Sequence, residues 1–265
     1  MTPGPLHTTT VGDSGSPVVF LHGLFGQGKN WTQIAKALTP GHRVLLVDLP
    51  HHGRSAWSDD FDFLDIADQV AEVLSADDPV TLVGHSMGGK VAMVLALRHP
   101  ELVARLCIVD VSPVAYPGAR EFGGYIEAMQ GLDLAAIKQR DDAEQALASA
   151  VPNTTVRSFL LQNLRRDGDS WRWQLNLDVL GDDLAEVGGW PEEQLEGSSP
   201  YAGPVLWIGG ARSDYVRDDY ADAMDRWFPH NRRVTIKNAG HWVHSEQPEV
   251  FVEVLQRFLD QPAAR

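Results

Sequence analysis

Six short apolar runs recur along the chain, and most of them are separated by segments with helical periodicity. The runs lie at 17–22, 43–49, 80–84, 105–110, 204–209 and 232–238. They are apolar at nearly every position, which is typical of strands covered on both faces in a parallel sheet. The segments between them, such as NWTQIAKAL and SMGGKVAMVLALRHP, are long enough to be crossover helices. The order predicts an α/β domain with an open, doubly wound, mostly parallel sheet.

One long interval interrupts this alternation. Between 113 and 200 the sequence has no clear strand and reads as helical pieces, among them NTTVRSFLLQNLRR, whereas ordinary connections run to about 2 to 6 residues. We interpret 113–200 as a helical cap inserted after the sixth strand of the full sheet, with 1–112 and 201–265 as the core. One part stays open, since alternating Trp171 and Trp173 fit either a short strand or a loop packed on the core.

Charge and cysteine content limit the partners. Lys and Arg number 22 against 36 Asp and Glu, a formal net charge of −14, which disfavours a nucleic-acid partner. No apolar run approaches the roughly 18 residues of a membrane span, and the N-terminus lacks a signal-peptide pattern. The only cysteine, Cys107, lies in an apolar run and is expected in the core. We therefore expect a cytoplasmic protein with no membrane or nucleic-acid partner, while the sequence does not indicate its oligomeric state.

The stretch VGHSMGG places Ser86 where a predicted strand runs directly into a predicted helix. A turn this tight strains the backbone of the serine and leaves no room for side chains two residues away, which explains Gly84 and Gly88. The turn lifts the hydroxyl above the strand ends. We therefore predict that Ser86 is a catalytic nucleophile.

Four stretches together resemble motifs of the α/β-hydrolase superfamily, and they extend over nearly the whole chain. They are FLHGLFG at 20–26, DLPHHGRS at 48–55, GHSMGGKVA at 84–92 and GHWVHSEQPEVF at 240–251. Within the superfamily the chain is similar to small YbfF-type esterases and their eukaryotic relatives, through LHGLFG, VDVSPVAY and GGARSDYV. His51 is a departure, since many relatives have glycine there, and we expect it to alter a loop and not the chemistry. The resemblance implies an α/β-hydrolase fold and a serine carboxylesterase.

A serine hydroxyl needs a neighbouring base to become a nucleophile. His241 follows the last predicted strand, the position that the superfamily gives to this base. An acid that orients the imidazole should end a neighbouring strand, and both Asp110 and Asp214 qualify. The resemblance to YbfF-type esterases implies that Asp110 is the acid, with Ser213 as an assisting hydroxyl. Asp214 matches the commonest position of the acid in the superfamily, and it is kept as the alternative.

Acyl transfer also requires donors for the anionic oxygen that forms on the substrate. The residue after the nucleophile supplies one backbone N–H, here that of Met87, and the loop after the first central strand supplies the other. In HGLFG we assign that second donor to Leu24, with Phe25 as the fallback. Ser86 and His241 would then work in two steps through an acyl-enzyme.

The predicted cap is expected to close over Ser86 and to supply most of the pocket wall. Its apolar side chains have helical spacing, so any single one of them is expected in the core of the cap. Such a pocket favours small to medium acyl esters as substrates, and the resemblance also admits acyl thioesters. The sequence predicts neither a cofactor nor a metal, since adjacent His51 and His52 offer no shared ligand face. A dehalogenase or epoxide hydrolase needs a carboxylate where Ser86 stands. A cofactor-free haloperoxidase, a carbon–carbon bond hydrolase and a ligand receptor without turnover remain as alternatives.

Overall fold

The computed structural model describes residues 4–39, 41–116 and 120–261. Its strands are β1 (Thr8–Val11), β2 (Ser16–Leu21), β3 (His42–Val47), β4 (Val80–His85), β5 (Val103–Val109), β6 (Leu164–Asp167), β7 (Ser170–Trp173), β8 (Val205–Gly210) and β9 (Asn231–Ile236). Seven of them form one sheet in the order β1-β3-β2-β4-β5-β8-β9. Only β1 runs antiparallel to its neighbour, and the other pairs are parallel. The predicted doubly wound, mostly parallel sheet is confirmed.

The described helices lie on both faces of this sheet and in the segment 113–200. They are α1 (Thr32–Leu38), α2 (Phe63–Ala71), α3 (Met87–Arg98), α4 (Arg120–Gln130), α5 (Arg140–Leu147), α6 (Thr154–Leu161), α7 (Leu177–Asp182), α8 (Leu184–Gly188), α9 (Ala221–Trp227), α10 (Val243–Glu246) and α11 (Pro248–Leu259). In the described part of the chain, no helix combines the length and apolar character needed to cross a membrane.

The apolar strands are explained by packing on both faces. Along β2, Val19 and Leu21 belong to a cluster that includes side chains of α2 and α3. Val18 and Phe20 point the other way, into a cluster with α1 and α11. Because successive side chains of a strand alternate between faces, a strand with helices on both sides needs an apolar residue at every position. The central strands therefore lie in the core, and their carboxyl ends present loops at one edge.

The long segment leaves the sheet after β5 and returns at β8. We expected the sixth strand of a full sheet, but the described sheet has seven strands and β5 is the fifth of them in chain order. The segment contains five helices, α4 to α8, in its described residues. It thus has the helical character that the sequence indicates.

The sequence shows no clear strand between 113 and 200, but the described residues of this segment contain two. The stretch with Trp171 and Trp173, which the sequence leaves open as a strand or a loop, is the strand β7. The stretch NTTVRSFLLQNLRR is helical only as far as Leu161, and β6 then pairs antiparallel with β7. Leu164 and Trp173 lie opposite each other and are buried in the core, so the hairpin packs against the core at this end. A two-residue turn joins its strands, and Gly168 there has a φ of 60°, which glycine accommodates without steric cost.

Candidate active site

Ser86 occupies the junction between β4 and α3. Its backbone angles are φ 53° and ψ −121°, a conformation that a residue with a side chain rarely adopts. The turn is also crowded: a Cβ atom on Gly84 would lie 2.3 Å from the carbonyl oxygen of Gly88. A Cβ atom on Gly88 would lie 2.4 Å from the carbonyl oxygen of His22. Glycine is therefore required at both positions for the serine to be presented at the strand ends.

A continuous set of hydrogen bonds starts at the Ser86 hydroxyl. Its Oγ lies 3.0 Å from Nε2 of His241, and Nδ1 of His241 lies 2.8 Å from Oδ2 of Asp110. Asp110 follows β5 and is fully buried. Its Oδ1 accepts a hydrogen bond from the backbone N–H of Gly210 at 2.9 Å, and its Oδ2 accepts one from the Ser213 hydroxyl. Three donors thus hold the carboxylate in place beside the imidazole.

This arrangement fixes the proton on the imidazole. Since a carboxylate accepts at Nδ1, that nitrogen carries the hydrogen, and Nε2 presents its lone pair to the Ser86 hydroxyl. The ring of Tyr215 lies against the imidazole of His241, with ring centroids 4.3 Å apart and an interplanar angle of 30°. Tyr215 was not predicted from the sequence as a site residue, although it lies two positions after Ser213.

Asp214, the alternative acid, lies elsewhere. Its side chain is exposed, and no hydrogen bond joins it to His241 among the residues described. The acceptor for Nδ1 of His241 is Asp110. Of the two candidate acids, only Asp110 is therefore brought together with Ser86 and His241.

The loop after β2 carries the backbone amides expected to face the substrate oxygen. The amide of Gly26 closes a turn on the Gly23 carbonyl at 2.9 Å, and Phe25 within this turn has a φ of 63°. The N–H of Phe25 donates to Nε2 of His52 at 3.3 Å, so the fallback donor is already engaged. The N–H groups of Leu24 and Met87 donate to no other described residue. Both residues line a cavity beside Ser86.

Two buried histidines support this loop as neutral side chains. His22 lies 2.9 Å from the Gly23 carbonyl through Nδ1 and accepts the N–H of Leu49 at Nε2. His52 lies 2.9 Å from the Pro50 carbonyl through Nδ1. Burial lowers the pKa of His22, and burial followed by the nearby His22 lowers the pKa of His52 well below its ordinary value. Both rings therefore stay uncharged and act as hydrogen-bonding supports.

His85 supports the opposite side of the site. Its Nε2 lies 2.9 Å from the backbone carbonyl of His241, the predicted base. Burial, followed by the neighbouring His244 and His241, lowers the pKa of His85 well below its ordinary value. A neutral His85 donates to that carbonyl and so fixes the loop on which His241 stands.

Two small cavities meet at Ser86. The larger, of about 40 Å³, extends between α3 and the segment 113–200, and the smaller, of about 10 Å³, extends toward His241. Leu24 and Phe122 line both of them. The larger is otherwise lined by Met87, Lys90, Val111, Tyr116, Leu184, Val187, Gly188 and Tyr215. The walls are mainly apolar, as a pocket for an acyl chain requires.

Lys90 is a buried cation that the sequence analysis did not identify. It lies one helical turn after Ser86 and is only 2% exposed. Its Nζ donates to the carbonyl of Gly188 at 2.7 Å and to that of Gly189, and it lies 4.8 Å from the centre of the Tyr116 ring. Burial lowers its pKa to about 7. The signal was a single lysine in an otherwise small and apolar helix, and it links the core to the segment 113–200.

The described residues contain no group of three His, Cys, Asp or Glu side chains placed to hold a metal ion. The adjacent histidines have separate partners. Nε2 of His51 lies 3.1 Å from the Asp60 carbonyl, while His52 faces the loop at Phe25. The groups found at the site are the Ser86 hydroxyl, the His241 imidazole and the Asp110 carboxylate.

Comparison with known proteins places this geometry in a family. The α/β hydrolase fold family matches residues 16–248. The sn-1-specific diacylglycerol lipase ABHD11 of Mus musculus is 39% identical over 257 residues, covering 94% of this chain and 82% of the relative. Esterase YbfF of Escherichia coli strain K12 is 31% identical over 247 residues, covering 92% and 93%. A solved structure described as a marine microorganism esterase superposes with a TM-score of 0.91 at 33% identity, covering 96% and 99%.

The chain belongs to the α/β hydrolase fold family. The predicted resemblance to YbfF-type esterases and their eukaryotic relatives is confirmed. Because relatives of this similarity are named as esterases and lipases, the chain is an enzyme of the carboxylic ester hydrolase class.

Proposed function

We propose that this protein is a serine carboxylesterase that cleaves small to medium acyl esters through an acyl-enzyme intermediate. The observation that carries the proposal is the unbroken series of hydrogen bonds from Ser86 through His241 to Asp110. A nucleophile, a base and an orienting acid in this geometry form the standard arrangement for acyl transfer.

In the first step, Oγ of Ser86 attacks the ester carbonyl carbon while Nε2 of His241 takes the hydroxyl proton. The carboxylate of Asp110 stabilises the imidazolium that forms. The backbone N–H groups of Leu24 and Met87 donate to the anionic oxygen of the tetrahedral intermediate. The imidazolium then gives its proton to the leaving alcohol, and the acyl group remains on Ser86.

In the second step a water molecule takes the place of the alcohol. His241 removes a proton from this water as it attacks the acyl-enzyme, and the same oxyanion donors serve again. Collapse of the second intermediate returns the proton to Ser86 and releases the carboxylic acid. Ser213 assists both steps by donating to Asp110, which keeps the carboxylate directed at Nδ1 of His241.

The cavities at Ser86 support the proposed substrate range. A cavity needs about 10 to 15 Å³ by this measure to hold one water molecule, so the cavity of about 40 Å³ beside α3 accepts an acyl chain of a few carbon atoms. We propose that 113–200 acts as a cap domain on a core of 1–112 and 201–265, and that its displacement admits medium-length chains. Thioesters with the same acyl groups fit the same chemistry.

We also propose a cytoplasmic location. The only cysteine, Cys107, is buried and unpaired, so the chain has no disulfide that would require an oxidising compartment.

A chain-length series of p-nitrophenyl and coenzyme A esters tests the proposal. We expect turnover that is fastest for short acyl groups and is lost in Ser86→Ala, while the control Ser75→Ala, at an exposed serine, keeps wild-type rates. Mass spectrometry of an acid-quenched reaction should find one acyl group on Ser86. Ester turnover by Ser86→Ala at the wild-type rate would contradict the mechanism. Ester binding without product would instead favour a receptor, and cleavage of vinylogous diketones alone would favour a carbon–carbon bond hydrolase.

A further inference from the structure

The peptide units on either side of Phe25 are held from opposite directions. The N–H of Phe25 donates to Nε2 of His52 at 3.3 Å. The carbonyl oxygen of Phe25 accepts from Nδ2 of Asn163 at 2.8 Å. His52 belongs to the core, whereas Asn163 lies in the segment 113–200. The residue after the proposed oxyanion donor Leu24 is therefore fixed by one side chain from each part of the molecule.

His52 is prepared to accept this hydrogen bond. Its Nδ1 lies 2.9 Å from the carbonyl of Pro50, which places the hydrogen on Nδ1 and leaves the lone pair of Nε2 for Phe25. The side chain is fully buried, and its ring centroid lies 5.0 Å from that of His22. The imidazole therefore has a fixed tautomer and little freedom to move.

Asn163 is equally constrained. It is fully buried between α6 and β6, and its Nδ2 also lies 3.2 Å from the Leu160 carbonyl. Its Oδ1 accepts from Nε2 of Gln27 at 2.5 Å, and its backbone carbonyl accepts from the N–H of Gln174 at 2.8 Å. With its amide group satisfied on both sides, Asn163 can present Nδ2 to Phe25 in only one orientation.

Phe25 requires such restraint because its φ of 63° is unfavourable for a residue with a bulky side chain. If the peptide relaxed, the plane that carries the neighbouring Leu24 amide would turn as well. An oxyanion donor is effective only when it points in advance at the position where the charge develops. The two side chains that hold Phe25 therefore bear on the geometry of the proposed oxyanion site.

We propose that His52 and Asn163 are positioning residues that hold the Phe25 peptides so that the Leu24 N–H faces the substrate oxygen. Docking of 113–200 onto the core through Asn163 then completes the oxyanion site. This inference rests on the proposed serine esterase function. It assigns to the segment 113–200 a part in transition-state stabilisation in addition to lining the pocket.

Variants of His52 and Asn163, the two residues that bond to the Phe25 peptides, test the inference. Asn163→Asp keeps the size of the side chain and the acceptor for Gln27 but loses the donor to Phe25. His52→Leu loses the acceptor, and His52→Gln restores an acceptor oxygen. Gln162→Ala is the matched control. Oε1 of Gln162 accepts from Nδ2 of Asn30 at 2.7 Å in the same contact region, and among the described residues no hydrogen bond joins its side chain to Phe25.

We expect Asn163→Asp and His52→Leu each to lower kcat for a short p-nitrophenyl ester about 10- to 100-fold, below the roughly 10²- to 10³-fold cost of deleting an oxyanion donor. KM should stay within about twofold, because the ground-state carbonyl depends less on this donor. Inhibition by a trifluoromethyl ketone, which forms a tetrahedral oxyanion adduct on serine, should weaken in parallel with kcat/KM. Gln162→Ala should match the wild type, and His52→Gln should recover part of the loss.

The outcomes separate this inference from the function on which it rests. If Ser86→Ala turns over esters as fast as the wild type, the proposed function is overturned. Turnover that depends on Ser86, with kcat unchanged in both Asn163→Asp and His52→Leu, overturns only the positioning role. A rise in KM at constant kcat also overturns it, since that result would assign the two residues to substrate binding.

Discussion

The buried ammonium of Lys90 gives a quantitative test of the packing between α3 and the segment 113–200. Burial lowers its pKa from the ordinary 10.5 to about 7. A change of this size corresponds to about 5 kcal/mol of preference for the neutral amine in the folded state, at about 1.4 kcal/mol per pH unit. Protonation of Lys90 at low pH therefore destabilises the folded protein relative to the unfolded chain.

The sign of the pH dependence follows from proton binding. Between about pH 7 and pH 10.5 the unfolded chain keeps the lysine proton that the folded protein has released. Where the unfolded state binds more protons, the free energy of unfolding rises with pH. The contribution of Lys90 to stability should therefore increase by about 3 kcal/mol from pH 6 to pH 9, and this increase should be absent in Lys90→Met.

Urea unfolding at pH 6, 7.5 and 9 measures this contribution. From pH 6 to pH 9 the free energy of unfolding should rise by about 3 kcal/mol more in the wild type than in Lys90→Met. Lys36→Met, at an exposed lysine of α1, is the control and should follow the wild type. The loss of partners for the Gly188 and Gly189 carbonyls shifts the stability of Lys90→Met equally at every pH, so it does not alter the comparison. Parallel pH profiles for all three proteins would refute the reasoning.

Three further predictions follow from the site. Asp110→Asn should lower kcat for a short ester by about 10³-fold or more, because it favours the wrong imidazole tautomer, while exposed Asp214→Asn should change kcat less than about twofold. Phe122→Ala removes a wall shared by both cavities, and the ratio of kcat/KM for an octanoyl ester to that for an acetyl ester should rise about tenfold. Ser86→Gly should unfold with a free energy about 1 kcal/mol higher than Ser86→Ala in urea titrations, because φ 53° and ψ −121° suit glycine. Equal stability of those two variants would mean that the turn stores no strain.

Sequence alone predicts the central sheet because its strands must be apolar at every position. The edge strand β1 was missed because Thr8–Val11 pairs with only one neighbour and is partly exposed, so it needs no apolar run. The strand β6 was predicted as part of a helix because it is short. Four-residue strands are too short for a period of two to be separated from helical spacing.

The site was predictable where a motif forces local geometry. Ser86 is identified by a turn that only glycines on either side permit, and His241 by its place after the last strand. The choice between Asp110 and Asp214 was different, because both follow strands that lie side by side in the sheet. Which carboxylate meets the imidazole depends on side-chain direction, and spacing in the sequence does not give that direction.

Contacts between the core and the segment 113–200 could not be predicted from the sequence. Asn163 is separated from Phe25 by 138 positions, and its role depends on how 113–200 folds back over the core. Lys90 was visible as an isolated charge in an apolar helix, but its acceptors are backbone carbonyls. Since every residue has a carbonyl group, no residue type at 188 or 189 could have indicated the contact.

Three residues of the proposed site have strained backbones, and they are restrained in different ways. Ser86, Asp110 and Phe25 all have positive φ, at 53°, 52° and 63°. The first two are restrained by the sheet itself, since their N–H groups donate to the carbonyls of Val109 and Ile208 at 3.0 and 2.9 Å. Phe25 lies beyond the end of its strand and is held by side chains instead. The backbones of the proposed nucleophile and acid are therefore held by the core, whereas the loop that carries the proposed oxyanion donor Leu24 is also held by Asn163 of the segment 113–200.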